Sequence, residues 1–106
     1  MIDQSKLDEI KAKHPRVRVC ETAAGTLVLR SPTRVEWRKF KSLVMSDDVQ
    51  SQISATEMLL FDIVVHPARE DFAALLDQFP GLEVDKGVQL AIKELTGQVS
   101  SDEGKG

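Results

Sequence analysis

The chain has 106 residues, of which 42% are apolar and 29% are charged, and its formal net charge is −3. This balance predicts one globular domain and excludes the low-hydrophobicity, high-charge composition of disordered chains. No apolar run approaches the roughly 18 residues that a membrane-spanning helix needs. The N-terminal residues lack the layout of a secretory signal, and the single cysteine, Cys20, cannot form an internal disulfide, so a cytoplasmic location is expected.

Charge is distributed unevenly along the chain. Residues 1–45 hold ten Lys/Arg and five Asp/Glu, a net charge of +5, whereas residues 46–106 hold four Lys/Arg and twelve Asp/Glu, a net charge of −8. Either the two halves attract each other or each half faces a different partner. A nucleic-acid-binding domain is usually basic overall, and this chain is not.

The N-terminal third predicts a short helix followed by a β-hairpin. Residues 3–13 have a thin apolar stripe, and His14-Pro15 ends the helix because a residue before proline avoids the helical region. Residues 16–21 alternate polar and apolar side chains, residues 26–30 form a second strand, and a short turn closes the hairpin. An isolated hairpin is barely stable in water, so this one must pack on helices.

The remainder of the chain predicts helices. Thr33 and Glu36 have the spacing of a capping box, which starts a helix that runs to about residue 45. Ser46 can cap the next helix, residues 47–65, which His66-Pro67 ends. Its apolar face is traced by Val49, Ile53, Thr56, Leu60, Ile63 and Val64. Further helices are predicted over residues 68–78 and 83–96, separated by a turn at Pro80-Gly81.

These elements predict an α+β, mostly helical fold, in which a small N-terminal β-hairpin packs on a four- to five-helix assembly. The domain spans residues 1–97. Residues 98–106 are small, polar and glycine-containing, and predict a mobile C-terminal tail.

Catalytic and metal-binding patterns are not found in the sequence. The two histidines, His14 and His66, are far apart, and each precedes a proline at a predicted helix end, so their expected role is to end helices. Cys20 lies within an alternating strand, with no group arranged to activate it. Paired carboxylates at residues 47–48 and 70–71 suit the positive ends of helices. We therefore expect no enzymatic activity, metal or cofactor.

A basic helix face is the candidate for binding nucleic acid or an acidic partner. It consists of Arg34, Arg38 and Lys41, and the hairpin adds Arg16, Arg18 and Arg30. The hairpin strands carry valine and leucine where RNA-binding sheets carry stacking aromatics, and the rest of the chain is acidic. A solvated face, or an internal partner for the acidic helices, is therefore the favoured interpretation.

Four local motifs follow one another between residues 26 and 97. They are Arg30 to Glu36 at a helix start, Phe61 to Pro67 at a helix end, Phe79-Pro80-Gly81 at a turn, and Ile92 to Gly97 at the last helix end. In this order they resemble the tail assembly chaperones of tailed bacteriophages and prophages. The chain differs from the usual form at Ile63, where cysteine is common, and in its added N-terminal helix.

The resemblance implies a small acidic helical protein in the cytoplasm of a bacterial host. Such a protein binds the hydrophobic tape measure protein, keeps it soluble and brings tail tube subunits to it. The resemblance carries over no catalytic residue. The absence of a long apolar run and the negative net charge predict no membrane partner and no nucleic-acid partner.

A chaperone of this kind must present apolar surface while remaining soluble itself. The C-terminal helices hold more large apolar residues than a thin local core needs, so some close the core and others line a groove or a self-association face. The candidate partner-binding residues are Phe72, Leu76, Phe79, Val88, Ile92 and Leu95. Trp37 and Phe40, which share a helix face, are expected in the core, with a binding anchor as the alternative.

Overall fold

The computed structural model describes residues 3–99. Within this range three short strands and one 3₁₀ helix are interleaved with five α-helices. In chain order they are α1 (Gln4–Lys13), β1 (Val17–Thr22), β2 (Gly25–Arg30), α2 (Arg34–Val44), α3 (Val49–Ile63), β3 (Val64–His66), α4 (Arg69–Gln78), the 3₁₀ helix (Pro80–Val84) and α5 (Lys86–Leu95). The predicted α+β fold, with a hairpin packed on helices, is confirmed.

The hairpin pairs β1 with β2 in an antiparallel register that runs from Val17 opposite Arg30 to Thr22 opposite Gly25. Two residues form the turn between them. Gly25 follows the turn with a φ of 115°, a conformation in which glycine avoids the clash that a Cβ would cause. The Thr22 hydroxyl donates to the Gly25 carbonyl at 2.7 Å and accepts from the Ala24 N–H at 3.1 Å, which fixes the turn.

A third strand, β3, was not predicted from the sequence. The helix expected over residues 47–65 ends at Ile63, and residues 64–66 pair antiparallel with β2. β2 therefore lies in the centre of the sheet. Leu27 and Val28 are both fully buried although their side chains point to opposite faces, so the sheet is covered on both faces at this point. The β-branched pair Val64 and Val65 suits a strand once a sheet edge is available. His66 thus lies in a strand, and its predicted role at a helix end is corrected.

Side-chain hydrogen bonds cap the N-termini of α1, α2 and α5. The Thr33 side chain accepts from the Glu36 N–H at 3.1 Å and the Glu36 carboxylate accepts from the Thr33 N–H at 2.9 Å, so the predicted capping box is confirmed. Ser46 does not cap α3, because Asp48 occupies the cap position. The helix predicted over residues 83–96 is divided in two: Asp85 caps α5 by accepting from the Val88 N–H at 3.1 Å.

The core lies between the sheet, the C-terminal half of α3, and the inner faces of α4 and α5. Its buried members are Cys20, Leu27, Leu29, Leu59, Leu60, Ile63, Phe72, Leu82, Val88, Ala91, Ile92 and Leu95. Helix α2 contributes no fully buried side chain. Its Trp37 and Phe40 stack on each other at a centroid distance of 4.9 Å and pack half-buried against this core.

Arg30 joins three elements at one point. Its guanidinium donates to both carboxylate oxygens of Glu36, at 2.9 and 2.7 Å, and to the Asp62 carbonyl at 2.6 Å. The end of β2 is thereby tied to the first turn of α2 and the last turn of α3. This contact adds to the packing of Trp37 and Phe40 in holding α2, which has no fully buried side chain of its own.

The C-terminal end of the described range meets the start of the tail that the sequence predicts. The predicted tail lies outside the described residues from position 100 onward, whereas the N–H groups of Gln98 and Val99 both donate to the Lys93 carbonyl. Between residues 3 and 99 no helix has both the length and the apolar character needed to cross a membrane.

Candidate partner-binding surface

The structure divides the six candidate partner-binding residues into two groups. Phe72, Val88, Ile92 and Leu95 have relative exposures of 0 to 6% and belong to the core. The apolar stripe of α5 packs toward the sheet, and Phe72 meets Phe61 edge-on at 5.1 Å. These four residues therefore belong to the core in this conformation, and Leu95 also contributes to two clefts beside Arg16.

The other two candidates, Leu76 and Phe79, lie at the surface near the end of α4. Leu76 is half-buried, and the side chain of Phe79 is 39% exposed. Phe79 has left the helix because it precedes Pro80, and its φ of −127° and ψ of 73° lie outside the helical region. The Phe79 ring therefore lies at the end of α4 in a position that it would not take if the helix continued.

Two clefts open on this surface and share Pro80. The first, called the acidic groove here, lies between α3, α4 and the 3₁₀ helix and has a volume of about 220 Å³. It is lined by Glu57, Phe61, Ala73, Leu76, Asp77, Pro80 and Glu83. The second, the Phe79 cleft, has a volume of about 350 Å³ and is lined by Ala23, Gln78, Phe79, Pro80, Gly81, Leu82 and Asp85.

The acidic groove places charge beside apolar surface. Burial, and secondarily the nearby Glu57 carboxylate, raise the pKa of Glu83 above its ordinary value. Within residues 3–99, the carboxylates of Glu57, Asp77 and Glu83 form no ion pair and accept no side-chain hydrogen bond from the protein. The groove is therefore an anionic site whose charge the described part of the chain does not neutralise.

The sequence gives only part of the signal for this groove. Glu57 and Phe61 lie four residues apart on one face of α3, and Ala73 and Asp77 have the same spacing on α4. Each pair resembles an ordinary amphipathic boundary. That the two faces meet each other, with Glu83 between them, depends on how α3 and α4 pack.

The predicted basic face is discontinuous in the structure. Arg34, Arg38 and Lys41 are exposed on α2 and form no ion pair with another residue of the range 3–99. The hairpin arginines are instead engaged internally. The Arg18 Nε donates to the Glu94 carboxylate at 2.7 Å, and Arg16 donates to the Glu94 carbonyl at 3.0 Å. The basic and acidic halves of the chain therefore attract each other at this contact, which was one of the two expected uses of the uneven charge.

The residues considered for catalysis are placed apart. Cys20 is buried, and burial together with the nearby Asp85 and Glu94 raises its pKa to about 11, which disfavours the reactive thiolate. Burial, and then the charge of Lys6, lower the pKa of His66. Among the residues that the structure describes, no three His, Cys, Asp or Glu side chains are grouped as a metal site would require.

Comparison of the chain with protein-family models, with curated proteins and with solved structures found no match. The resemblance to tail assembly chaperones therefore depends on the four sequence motifs and remains a prediction.

Proposed function

We propose that this chain is a protein-binding tail assembly chaperone that holds the hydrophobic tape measure protein in solution and recruits tail tube subunits to it. The observation that carries the protein-binding part is the surface at the end of α4, where Leu76 and Phe79 line two adjoining clefts. The order of the four sequence motifs supports the more specific assignment to phage tails.

The end of α4 has the physical properties that such a role needs. An exposed aromatic ring beside a cleft is a common anchor in protein interfaces, because it buries a large area with little loss of side-chain entropy. Acidic side chains on this surface, such as the exposed Asp77, remain hydrated and keep the free protein soluble. An apolar face of a partner helix can lie in clefts of this kind.

Substitution of Phe79 by aspartate is expected to abolish partner capture without unfolding the domain. The test is co-expression with a fragment of the tape measure protein, followed by measurement of the fraction of that fragment that stays soluble. Loss of an interface anchor costs about 2 kcal/mol or more, so that fraction should fall several-fold. The melting temperature should change by less than about 5 °C, because the ring is partly exposed already.

Leu90→Asp is the matched control, since Leu90 is 51% exposed and lies outside both clefts. It should retain capture. Equal capture by Phe79→Asp and the wild type would show that the binding surface lies elsewhere. Failure of the wild-type chain to raise the solubility of any tape measure fragment would contradict the chaperone function itself. A tube protein gene upstream and a long tape measure gene downstream would support it independently.

The alternative is a small regulatory or adaptor protein that binds nucleic acid or an acidic partner through Arg34, Arg38 and Lys41. One observation favours it: these three side chains are exposed along one face of α2. The net charge of −3 opposes it, because phosphate contacts supply most of the affinity in nucleic-acid binding.

Binding to duplex DNA at near-physiological salt is therefore expected to be weak or undetectable. The measurement is fluorescence anisotropy with a labelled duplex over a range of salt concentrations. Tight, salt-sensitive binding that the Arg34→Glu, Arg38→Glu variant loses would favour the adaptor over the chaperone. Both arginines are exposed, so this variant should fold normally.

A further inference from the structure

We propose that the acidic groove receives a lysine or arginine side chain from a helical segment of the protein partner. The inference deepens the proposed function and rests on it in one respect, namely that the partner is a protein. It identifies the chemistry that the partner segment must carry: a cation beside an apolar side chain on one helix face.

The first argument is that the half-buried carboxylates of this fold differ in whether they have a partner within the protein. Three of them have internal cations: Glu36 pairs with Arg30, Asp62 with Lys39 and Arg69, and Glu94 with Arg18. A fourth, Asp85, caps α5. Glu83 is also half-buried, yet within residues 3–99 its carboxylate has no cation and no hydrogen-bond donor. A cation from a bound protein would give Glu83 the kind of partner that the other half-buried carboxylates have within this fold.

The second argument is the repulsion between the groove's own acids. Burial is the larger cause of the raised pKa of Glu83, and the nearby Glu57 carboxylate raises it further because the two negative charges repel each other. Asp77 adds a third carboxylate to the lining. A bound cation would relieve this repulsion, whereas a neutral or acidic ligand would leave or increase it.

The third argument is the shape and polarity of the groove. Phe61, Ala73 and Leu76 provide apolar surface next to the carboxylates. Lysine and arginine place an aliphatic stem on apolar surface while their charged group reaches a polar one. Because the groove adjoins the Phe79 cleft at Pro80, an apolar side chain on the same helical segment can occupy that cleft.

The test uses a labelled amphipathic model helix, about 15 residues long, with leucine on one face and lysine beside it. A second peptide has every lysine replaced by glutamine. Binding to the full chain is measured by fluorescence anisotropy. The lysine peptide should bind the wild type more tightly than the glutamine peptide. The Glu57→Gln, Glu83→Gln variant should bind the lysine peptide about tenfold more weakly, because a desolvated charge contact is lost.

A charge-matched control separates groove recognition from general attraction to an acidic protein. Glu9→Gln with Asp47→Asn removes two exposed negative charges away from the groove, and neither side chain has an ion pair among residues 3–99. This variant should change the dissociation constant less than about twofold. The groove variant should melt at the same temperature as the wild type or higher, because it removes a repulsion.

Several results would overturn the inference. Equal weakening in the groove and control variants would indicate diffuse electrostatics, and equal affinity for the two peptides would indicate apolar binding alone. Changes in the amide NMR chemical shifts of the wild type during titration with the lysine peptide test the site without a substitution. No change at Glu57, Asp77 and Glu83 would contradict the site. Self-association lost in the groove variant, measured by sedimentation, would assign the groove to a second copy of the chain.

The peptide assay is independent of the tape measure protein, so the two proposals can fail separately. If the Glu57→Gln, Glu83→Gln variant captures the tape measure fragment as well as the wild type does, that result would contradict the cation site alone. Specific peptide binding without any tape measure capture would contradict the chaperone role alone.

Discussion

Substitution of Leu60 by aspartate is expected to unfold the protein, whereas the same substitution at Ile53 is expected to leave it folded. Leu60 has no exposed surface and packs in the core, so aspartate there would bury a charge without a partner. The cost exceeds about 4 kcal/mol, which is comparable with the total stability of a domain of this size. Ile53 is 64% exposed, and its replacement should change the free energy of unfolding by about 0.5 kcal/mol or less.

Urea unfolding followed by circular dichroism measures both effects. The pair is informative because both residues lie on the same predicted apolar stripe of one helix, so intrinsic helix propensity affects them alike. A folded Leu60→Asp variant would contradict the placement of the core between α3 and the sheet. A large destabilisation by Ile53→Asp would mean that the N-terminal half of α3 is covered by another part of the protein.

Replacement of Arg30 by methionine is expected to destabilise the protein by about 2 to 3 kcal/mol, the second-largest effect. The side chains of Arg30 and Glu36 are only 23% and 22% exposed. The substitution removes the Arg30 donors from the Asp62 carbonyl and from the Glu36 carboxylate. That carboxylate keeps the Thr33 N–H as a donor. Methionine keeps much of the aliphatic volume, so the loss reports mainly on the polar contacts. The measurement is again chemical unfolding, at pH 7.

Acid titration tests the same contact in a second way. The Arg30 hydrogen bond, together with the Thr33 N–H, lowers the pKa of Glu36 from 4.5 to about 2, although partial burial opposes this. A depressed carboxyl pKa adds stability that is complete above about pH 4.5 and is lost as the pH falls toward 2. The stability of wild type and Arg30→Met should therefore converge over this window. A constant difference between them from pH 5 to pH 2.5 would contradict the ion pair.

Lys39→Met is the matched control for Arg30→Met. Lys39 is 49% exposed and its ammonium lies 3.4 Å from the Asp62 carboxylate, a surface ion pair that water and salt screen. Its loss should cost about 0.5 kcal/mol or less. The two substitutions each remove one positive charge, so the difference between them isolates the geometry of the Arg30 contact.

Local features of this fold were predictable from the sequence. The capping box of Thr33 and Glu36, the hairpin over residues 17–30 and the end of α4 before Pro80 all follow from residues a few positions apart. Hydrogen bonds and dihedral preferences at that range depend on neighbouring residues, so a sequence pattern can reveal them. The α+β class follows because alternating and helical apolar periods are distinct.

Other features were decided only by the tertiary structure. The run Ile63-Val64-Val65 continues an apolar helical pattern, but β2 offers an edge and residues 64–66 become a strand. The pairing of Arg18 with Glu94 joins residues 76 positions apart, and the acidic groove needs α3, α4 and the 3₁₀ helix together. Contacts between distant segments depend on packing, which local periodicity does not encode.

The apolar stripes of the helices show most clearly which features the sequence determined and which the tertiary structure decided. The sequence identifies which side of α3, α4 and α5 is apolar, and the structure follows those stripes. It does not determine how much of each stripe is covered, so Phe72 and Val88 are core residues while Ile53 and Phe79 remain exposed. Coverage depends on where a neighbouring element ends, and that is a property of the assembled fold rather than of any one helix.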